Sequence, residues 1–241
     1  LLISVMYHHV NSDRCSNDLT IFEEHLKYIK KHFTTIFPNE KVGKNSICLT
    51  FDDAYADFYF LIFPLLKKYN LKALLAIPSR YILDDTDEKA EARMNFEHND
   101  LFLNYQKATF CTYKELKEMR DSGLVIFGSH SHSHINLLEK DVDIDLELRF
   151  SKEILEEKLG TKIDSFVFPF GKYNQDILKE AQKYYKYNFR IGNAIHKDFS
   201  GINGAIYRVD GDGLKSPNEI FKFGKITKYR FKGLVKKLGK K

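Results

Sequence analysis

Val125-Ile126-Phe127-Gly128-Ser129-His130-Ser131-His132-Ser133-His134 passes from an apolar run into three imidazoles within five positions. In an extended chain the side-chain period is two, and all three rings would line one face. In a helical turn His130 and His134, four apart, share a face and His132 points elsewhere. The Gly128-Ser129 step, followed by Ile135-Asn136-Leu137-Leu138, favours a strand that ends and turns into a short helix. That geometry leaves His130 and His134 as a two-nitrogen claw, which needs an acidic third ligand.

Outward from this stretch, strand alternates with helix along almost the whole chain. Apolar runs at 1–7, 46–51, 72–77, 165–168, 187–191 and 205–209 read as further strands. Between them, 20–31, 58–69, 115–122, 144–158 and 175–184 read as helices. Thr20 is the expected cap of the first and Glu23 the far member of its capping box, and Pro64 is a kink point in the second. Such alternation calls for parallel pairing with right-handed crossovers, and seven units predict an irregular (β/α)7 barrel of the α/β class. Residues 79–111 break the rhythm with Asp84, Asp85, Asp87 and an aromatic run from Phe96 to Tyr105, so they read as an insertion over one rim. The expected organisation is a domain over 1–224 followed by a basic amphipathic tail over 225–241.

The 241 residues are 43% hydrophobic, enough for a sizeable core, and with 20 Phe, 14 Tyr and no Trp the apolar walls are built from phenyl and phenol rings. Three cysteines, Cys15, Cys48 and Cys111, have neither the count nor the spacing of a disulfide framework, and Cys48 reads as a small buried hydrophobe. A net charge of +5, with basic residues not interleaved in any recognisable binding motif, argues against nucleic acid as partner. The tail reads as a solvated helix or frayed end, or as a segment that lies on an anionic membrane or an enzyme partner. The sequence opens without a charged and apolar leader, which leads us to expect a cytoplasmic protein or one peripheral to the inner membrane, exported if a signal segment precedes Leu1.

Asp52 and Asp53 end an apolar strand at the rim where ligands gather in parallel β/α architectures. Adjacent strand residues point to opposite faces, so both reach one pocket only if the chain turns there; one can then bind metal while the other stays free as a base. His8, after the first strand, belongs to the same rim. Phe168-Pro169-Phe170-Gly171-Lys172-Tyr173 forms a stiff turn whose flat rings suit a sugar.

Taken together, these segments resemble the motifs of the polysaccharide deacetylase family, the NodB-homology carbohydrate esterases. Thr50-Phe51-Asp52-Asp53 is similar to its first motif, His130 to His134 to its second, Phe168 to Tyr173 to its third, and Met6-Tyr7-His8-His9-Val10 to the signature of a branch that includes deacetylases of β-1,6-linked N-acetylglucosamine polymer. The resemblance implies Asp52 as catalytic base, and Asp53, His130 and His134 as ligands of a divalent ion, Zn2+ or another transition metal. It further implies His8 as the general acid, with His9 or His196 as substitutes, and Phe168, Pro169, Phe170 and Tyr173 as substrate contacts. The implied substrate is an N-acetylated glycan or a lipid- or nucleotide-linked sugar of surface-polysaccharide assembly. An N-formyl amino sugar and a non-catalytic carbohydrate-binding role are the alternatives. Two family features have no match by position: Val167 and Phe168 stand where an arginine precedes the third motif, and no histidine follows His196.

Overall fold

The computed structural model describes residues 1–239, so residues 240 and 241 of the basic tail lie outside the description. Seven strands form the frame: β1 (Leu2–Tyr7), β2 (Ser46–Phe51), β3 (Ala73–Ile77), β4 (Val125–Ser129), β5 (Ser165–Val167), β6 (Tyr187–Ile191) and β7 (Ile206–Asp210). Each pairs in parallel with the next, and β1 joins β2 on one side and β7 on the other, which closes the barrel. The longest ladder is β1 with β2, running from Leu2 opposite Ser46 to Tyr7 opposite Phe51. Both strands are buried throughout, as a parallel sheet covered on both faces requires.

Alternation sorts the side chains into two layers. Leu2, Cys48, Leu74, Ala76, Val167, Phe189 and Ile206 form a cluster of their own that fills the barrel. Their odd-numbered neighbours Ile3, Val5, Ile47, Leu49, Ala73 and Leu75 pack outward against the helices. The inner layer matters for function, because Thr50 and Asp52 share the parity of Cys48 in β2, and Arg208 that of Ile206 in β7, and all three point the same way. Cys48 is buried there as a small apolar group, and burial pushes its thiol up to about 12.

The helices are α1 (Leu19–His32), α2 (Phe63–Tyr69, entered through a wider turn at Phe58–Ile62), α3 (Tyr113–Asp121), α4 (Ser151–Leu159), α5 (Gln175–Tyr184) and α6 (Phe223–Leu238). The cap of α1 is Asp18 rather than Thr20: the helix starts one residue earlier than expected, and the Asp18 carboxylate accepts the Ile21 N–H at 3.0 Å. Glu23 forms no capping box and instead holds Lys68 and Tyr69 of α2. Pro64 sits in the first turn of α2, where its missing N–H costs nothing.

Residues 79–111 contain only short helical turns and pack over the rim at the C-terminal ends of the strands. Their anchor is Arg93, almost wholly buried, which donates to the carbonyls of Ala108 and Phe110 and to the Glu115 carboxylate of α3. Among the described residues no helix is long and apolar enough to cross a membrane.

Candidate active site

The chain turns abruptly after β2. Asp53 and Ala54 both take left-handed backbone conformations, φ 70° and φ 55°, which side chains other than glycine adopt only when their surroundings hold them there. The returning end of the insertion supplies that hold: the Cys111 N–H donates to the Ala54 carbonyl at 2.8 Å and the Ala56 N–H to the Thr109 carbonyl at 2.9 Å. The turn brings the Asp52 and Asp53 carboxylates, which an extended strand would separate, into one pocket.

Beyond β4 the expected short helix does not form. Ser131 and His134 adopt positive φ, and the chain makes an irregular turn in which the Ser131 hydroxyl accepts the His134 N–H. The small hydroxyl side chains between the histidines satisfy the backbone that a helix would have satisfied, so the turn competes with the helix. His130 and His134 still converge, and His132 points away to Ser79 and the Phe150 ring.

Asp53, His130 and His134 each offer one atom within 4.8 Å of the others. Asp53 Oδ1 lies 3.1 Å from His134 Nε2 and 3.5 Å from His130 Nε2, yet it is buried without a hydrogen-bond partner. An orphaned carboxylate oxygen facing two imidazole nitrogens is a donor set that fits a divalent cation. His130 Nδ1 donates to the Val167 carbonyl at 2.7 Å, which fixes the ring and leaves the Nε2 lone pair facing the site. Burial holds the His134 imidazole down to about 4 despite the nearby Asp53 charge, so it is neutral, as a ligand must be. Burial would raise the Asp53 carboxyl, but the facing His134 and His130 outweigh it and bring it below the usual range.

Asp52 makes different contacts. Both its oxygens accept from the Arg208 guanidinium, at 2.5 and 2.8 Å, and Arg208 also donates to the Thr50 hydroxyl. Burial opposes ionisation of Asp52, yet the Arg208 charge, helped by His130 and His8, holds its carboxyl far below the usual carboxylate range. Arg208 thus supplies a guanidinium to Asp52 although Val167 and Phe168, just before the third motif, carry none. It comes from β7, some forty residues later in the chain, and reaches Asp52 across the barrel interior.

His8 lies 3.8 Å from Asp52, measured from Nε2, and its Nδ1 is 2.5 Å from Asp212, which also accepts the His8 backbone N–H. Burial alone would favour the neutral ring, but the hydrogen bond and charge of Asp212, with the charges of Asp52 and Asp53, raise His8 to about 10. Burial also pushes the Asp212 carboxyl up. With two donors on that carboxylate, the ion pair is the state we assign. His9 and His196 do not substitute for His8. His9 turns away to Asp57 and, at 3.2 Å, to His98 of the insertion, whereas His196 bonds Leu2 and Tyr207 near the N-terminal end of β1.

His8, Asp52, Asp53, His130, His134 and Arg208 line a cleft of about 390 Å³, bordered also by Phe102, His98, Ile191, Phe168 and Phe170. Phe170 is exposed and packs its ring 4.9 Å from that of His134, while Phe168 is buried beneath it. Pro169 and Tyr173 do not border the cleft. Pro169 is buried, and Tyr173 stacks on the far side of Phe168 and against Arg190. The fixed φ of the proline and the left-handed Phe170 set the turn so that, of its three aromatic rings, Phe170 is the exposed one.

Residues 39–188 match the family model of polysaccharide deacetylases. The chain belongs to the polysaccharide deacetylase family. YxkH of Bacillus subtilis strain 168, assigned as a polysaccharide deacetylase, is 26% identical over 193 residues, covering 74% of this chain and 60% of its own. The deacetylase PplD of Streptococcus pyogenes, solved in complex with acetate, superposes with a TM-score of 0.70 at 23% identity, over 92% of this chain and 96% of its own. BA0330 of Bacillus anthracis, assigned as a polysaccharide deacetylase, gives 0.74 at 19% identity, over 95% and 68%. The two superpositions speak for the fold, and in this family member the Asp and His positions of the motifs lie together at one barrel rim.

Proposed function

We propose that the protein is a metal-dependent hydrolase that removes an N-acetyl group from an amino sugar of a surface polysaccharide or its precursor. The observation that carries this reading is the division of labour between adjacent carboxylates. Asp53 Oδ1 has no hydrogen-bond partner and faces two imidazoles, whereas Asp52 is clamped by Arg208 beside them.

Held by Asp53, His130 and His134, a divalent ion such as Zn2+ supplies acidification of a water and polarisation of an amide carbonyl. Asp52 is placed to accept the water's proton as the oxygen adds to the acetyl carbon. Arg208 keeps Asp52 ionised and fixed in direction. His8, held as imidazolium by Asp212, is placed to give a proton to the sugar nitrogen as the C–N bond breaks, which yields acetate and a free amine. Phe170 and Phe102 offer flat apolar faces at the mouth of the cleft, suited to a sugar ring.

The non-catalytic alternative rests on a missing arginine and a missing late histidine; Arg208 against Asp52 and His8 against Asp212 favour the catalytic reading over it. Acetate release from N-acetylglucosamine oligosaccharides, with formate assayed in parallel on N-formyl substrates, tests the activity. Asp52→Asn is expected to retain metal and lose nearly all release, and His134→Ala to lose the metal as well. An active Asp52→Asn enzyme would overturn the assignment.

A further inference from the structure

The C-terminal helix α6 has two apolar faces. One docks on the barrel: Tyr229 and Gly233 are buried, and Gly233 rests against the Ile195 carbonyl and Ala194, where a Cβ would already stand 3.4 Å from that oxygen. Lys236 completes the seat by lying over the Tyr207 ring and accepting from Asn203 through its carbonyl. The helix is thus fixed to the domain rather than free in solvent.

The opposite face is unpartnered. At 100° per residue Phe231, Leu234, Val235 and Leu238 fall on one stripe, about half a turn from Tyr229 and Gly233, and Phe223 extends the stripe at the N-terminal end. All five are exposed, Leu238 by 82% and Phe223 by 87%. Of the eleven large apolar side chains exposed among the described residues, these five lie on this one helix. The stripe is edged by exposed cations, Lys228 on one side and Arg230 and Lys237 on the other, and residues 222–241 contain no Asp or Glu.

We propose that this face of α6 docks on an anionic lipid bilayer, with Phe231, Leu234 and Leu238 entering the acyl boundary and Lys228, Arg230 and Lys237 meeting the headgroups. An apolar stripe between two cationic flanks is the pattern of a helix lying in a membrane interface. A second copy of the chain fits it poorly, because a two-fold contact through this face would bring cationic flanks together with no acidic residue on the helix to oppose them. The proposal needs neither the metal nor the deacetylase reading, since it concerns a face outside the cleft.

Co-sedimentation of the full chain with phosphatidylcholine vesicles, with and without phosphatidylglycerol, tests it. The protein is expected to pellet with the anionic vesicles only, and less as salt is raised. The variant Lys228→Gln/Arg230→Gln/Lys237→Gln should bind about a hundredfold more weakly, at about fivefold per cation. The variant Phe231→Ser/Leu234→Ser/Leu238→Ser should stay in the supernatant, with both variants keeping the wild-type thermal unfolding midpoint. Three outcomes would each overturn the proposal: no pelleting of wild type with anionic vesicles, equal pelleting with neutral ones, or undiminished binding by the charge variant. Sedimentation equilibrium showing a dimer that the apolar variant abolishes, without vesicle binding, would assign the face to self-association instead.

Discussion

Two neighbouring aspartates acquire opposite properties because of what faces them. Asp53 Oδ1 faces two imidazole nitrogens without a hydrogen-bond partner and stays open to a cation, while Asp52 meets a guanidinium and becomes a fixed anion. The same logic separates His8 from His134: both are largely but not fully buried, and only His8 has a carboxylate in hydrogen-bond contact through Asp212. A general acid must be protonated, so turnover falls as pH rises through the His8 pKa. Asp212→Asn removes the charge that sustains the imidazolium, and the basic limb of the kcat profile is expected to move down by about 1–3 pH units. Metal content should be unchanged, and an unmoved basic limb would exclude His8 as the acid. His8 was legible in the sequence from its place at a strand end, as were Asp52, Asp53, His130 and His134. Arg208 and Asp212 were not. They stand with Asp210 at alternate positions in and just after a late strand, and only the closing of β1 onto β7 brings them beside motifs some 150 to 200 residues earlier. Arg208 did carry one signal, a cation two residues after Ile206 on the inward face of a strand otherwise apolar up to Val209.

At the scale of elements, the insertion acts on the site through backbone. Its return segment holds Ala54 and Ala56, and that hold sustains the left-handed turn that converges the two carboxylates. Arg93 in turn fixes that segment through the Ala108 and Phe110 carbonyls, while its pairing with Glu115 ties the insertion to α3. Replacing a buried, fully engaged guanidinium leaves carbonyls and a carboxylate without their donor. Arg93→Ala is therefore expected to cost about 3–5 kcal/mol in urea unfolding, and kcat should fall even though residue 93 is remote from the cleft. An Arg93→Ala protein with wild-type stability would show the anchor to be dispensable. The strands and most helices were legible because apolar periodicity survives burial. The turns after β2 and β4 were not, since left-handed conformations at Asp53, Ala54, Ser131 and His134 are imposed by partners distant in sequence or by local hydroxyls rather than by glycine. The α1 cap was misplaced by two residues for a related reason: Asp18 and Thr20 are both good caps, and tertiary packing decided between them.

For the molecule as a whole, closure of the barrel is reinforced from outside by His25 of α1. Its Nε2 accepts the Tyr7 hydroxyl of β1 at 2.6 Å, its Nδ1 donates to the Pro217 carbonyl, and its ring stacks on Phe221. One imidazole thus joins the first strand, the first helix and the segment that follows the last strand. This arrangement requires the neutral ring, since a proton on Nε2 would face the Tyr7 hydroxyl proton, and burial brings His25 down to about 4 although the Pro217 carbonyl favours the charged form. An imidazole whose folded pKa lies below its unfolded value binds protons more tightly in the unfolded chain. The stability it contributes is therefore complete above about pH 6.5 and lost as pH falls towards about 4. That difference corresponds to about 3 kcal/mol. His134, also lowered to about 4, adds to the same slope, whereas the depressed Asp52 and Asp53 lose their contribution only at lower pH, below the unfolded carboxylate range. In His25→Gln the His134 contribution persists and the His25 contribution vanishes. Urea unfolding measured from pH 7 to pH 4 should then show wild type losing about 3 kcal/mol more than the variant, while parallel curves would mean that His25 titrates as an ordinary histidine.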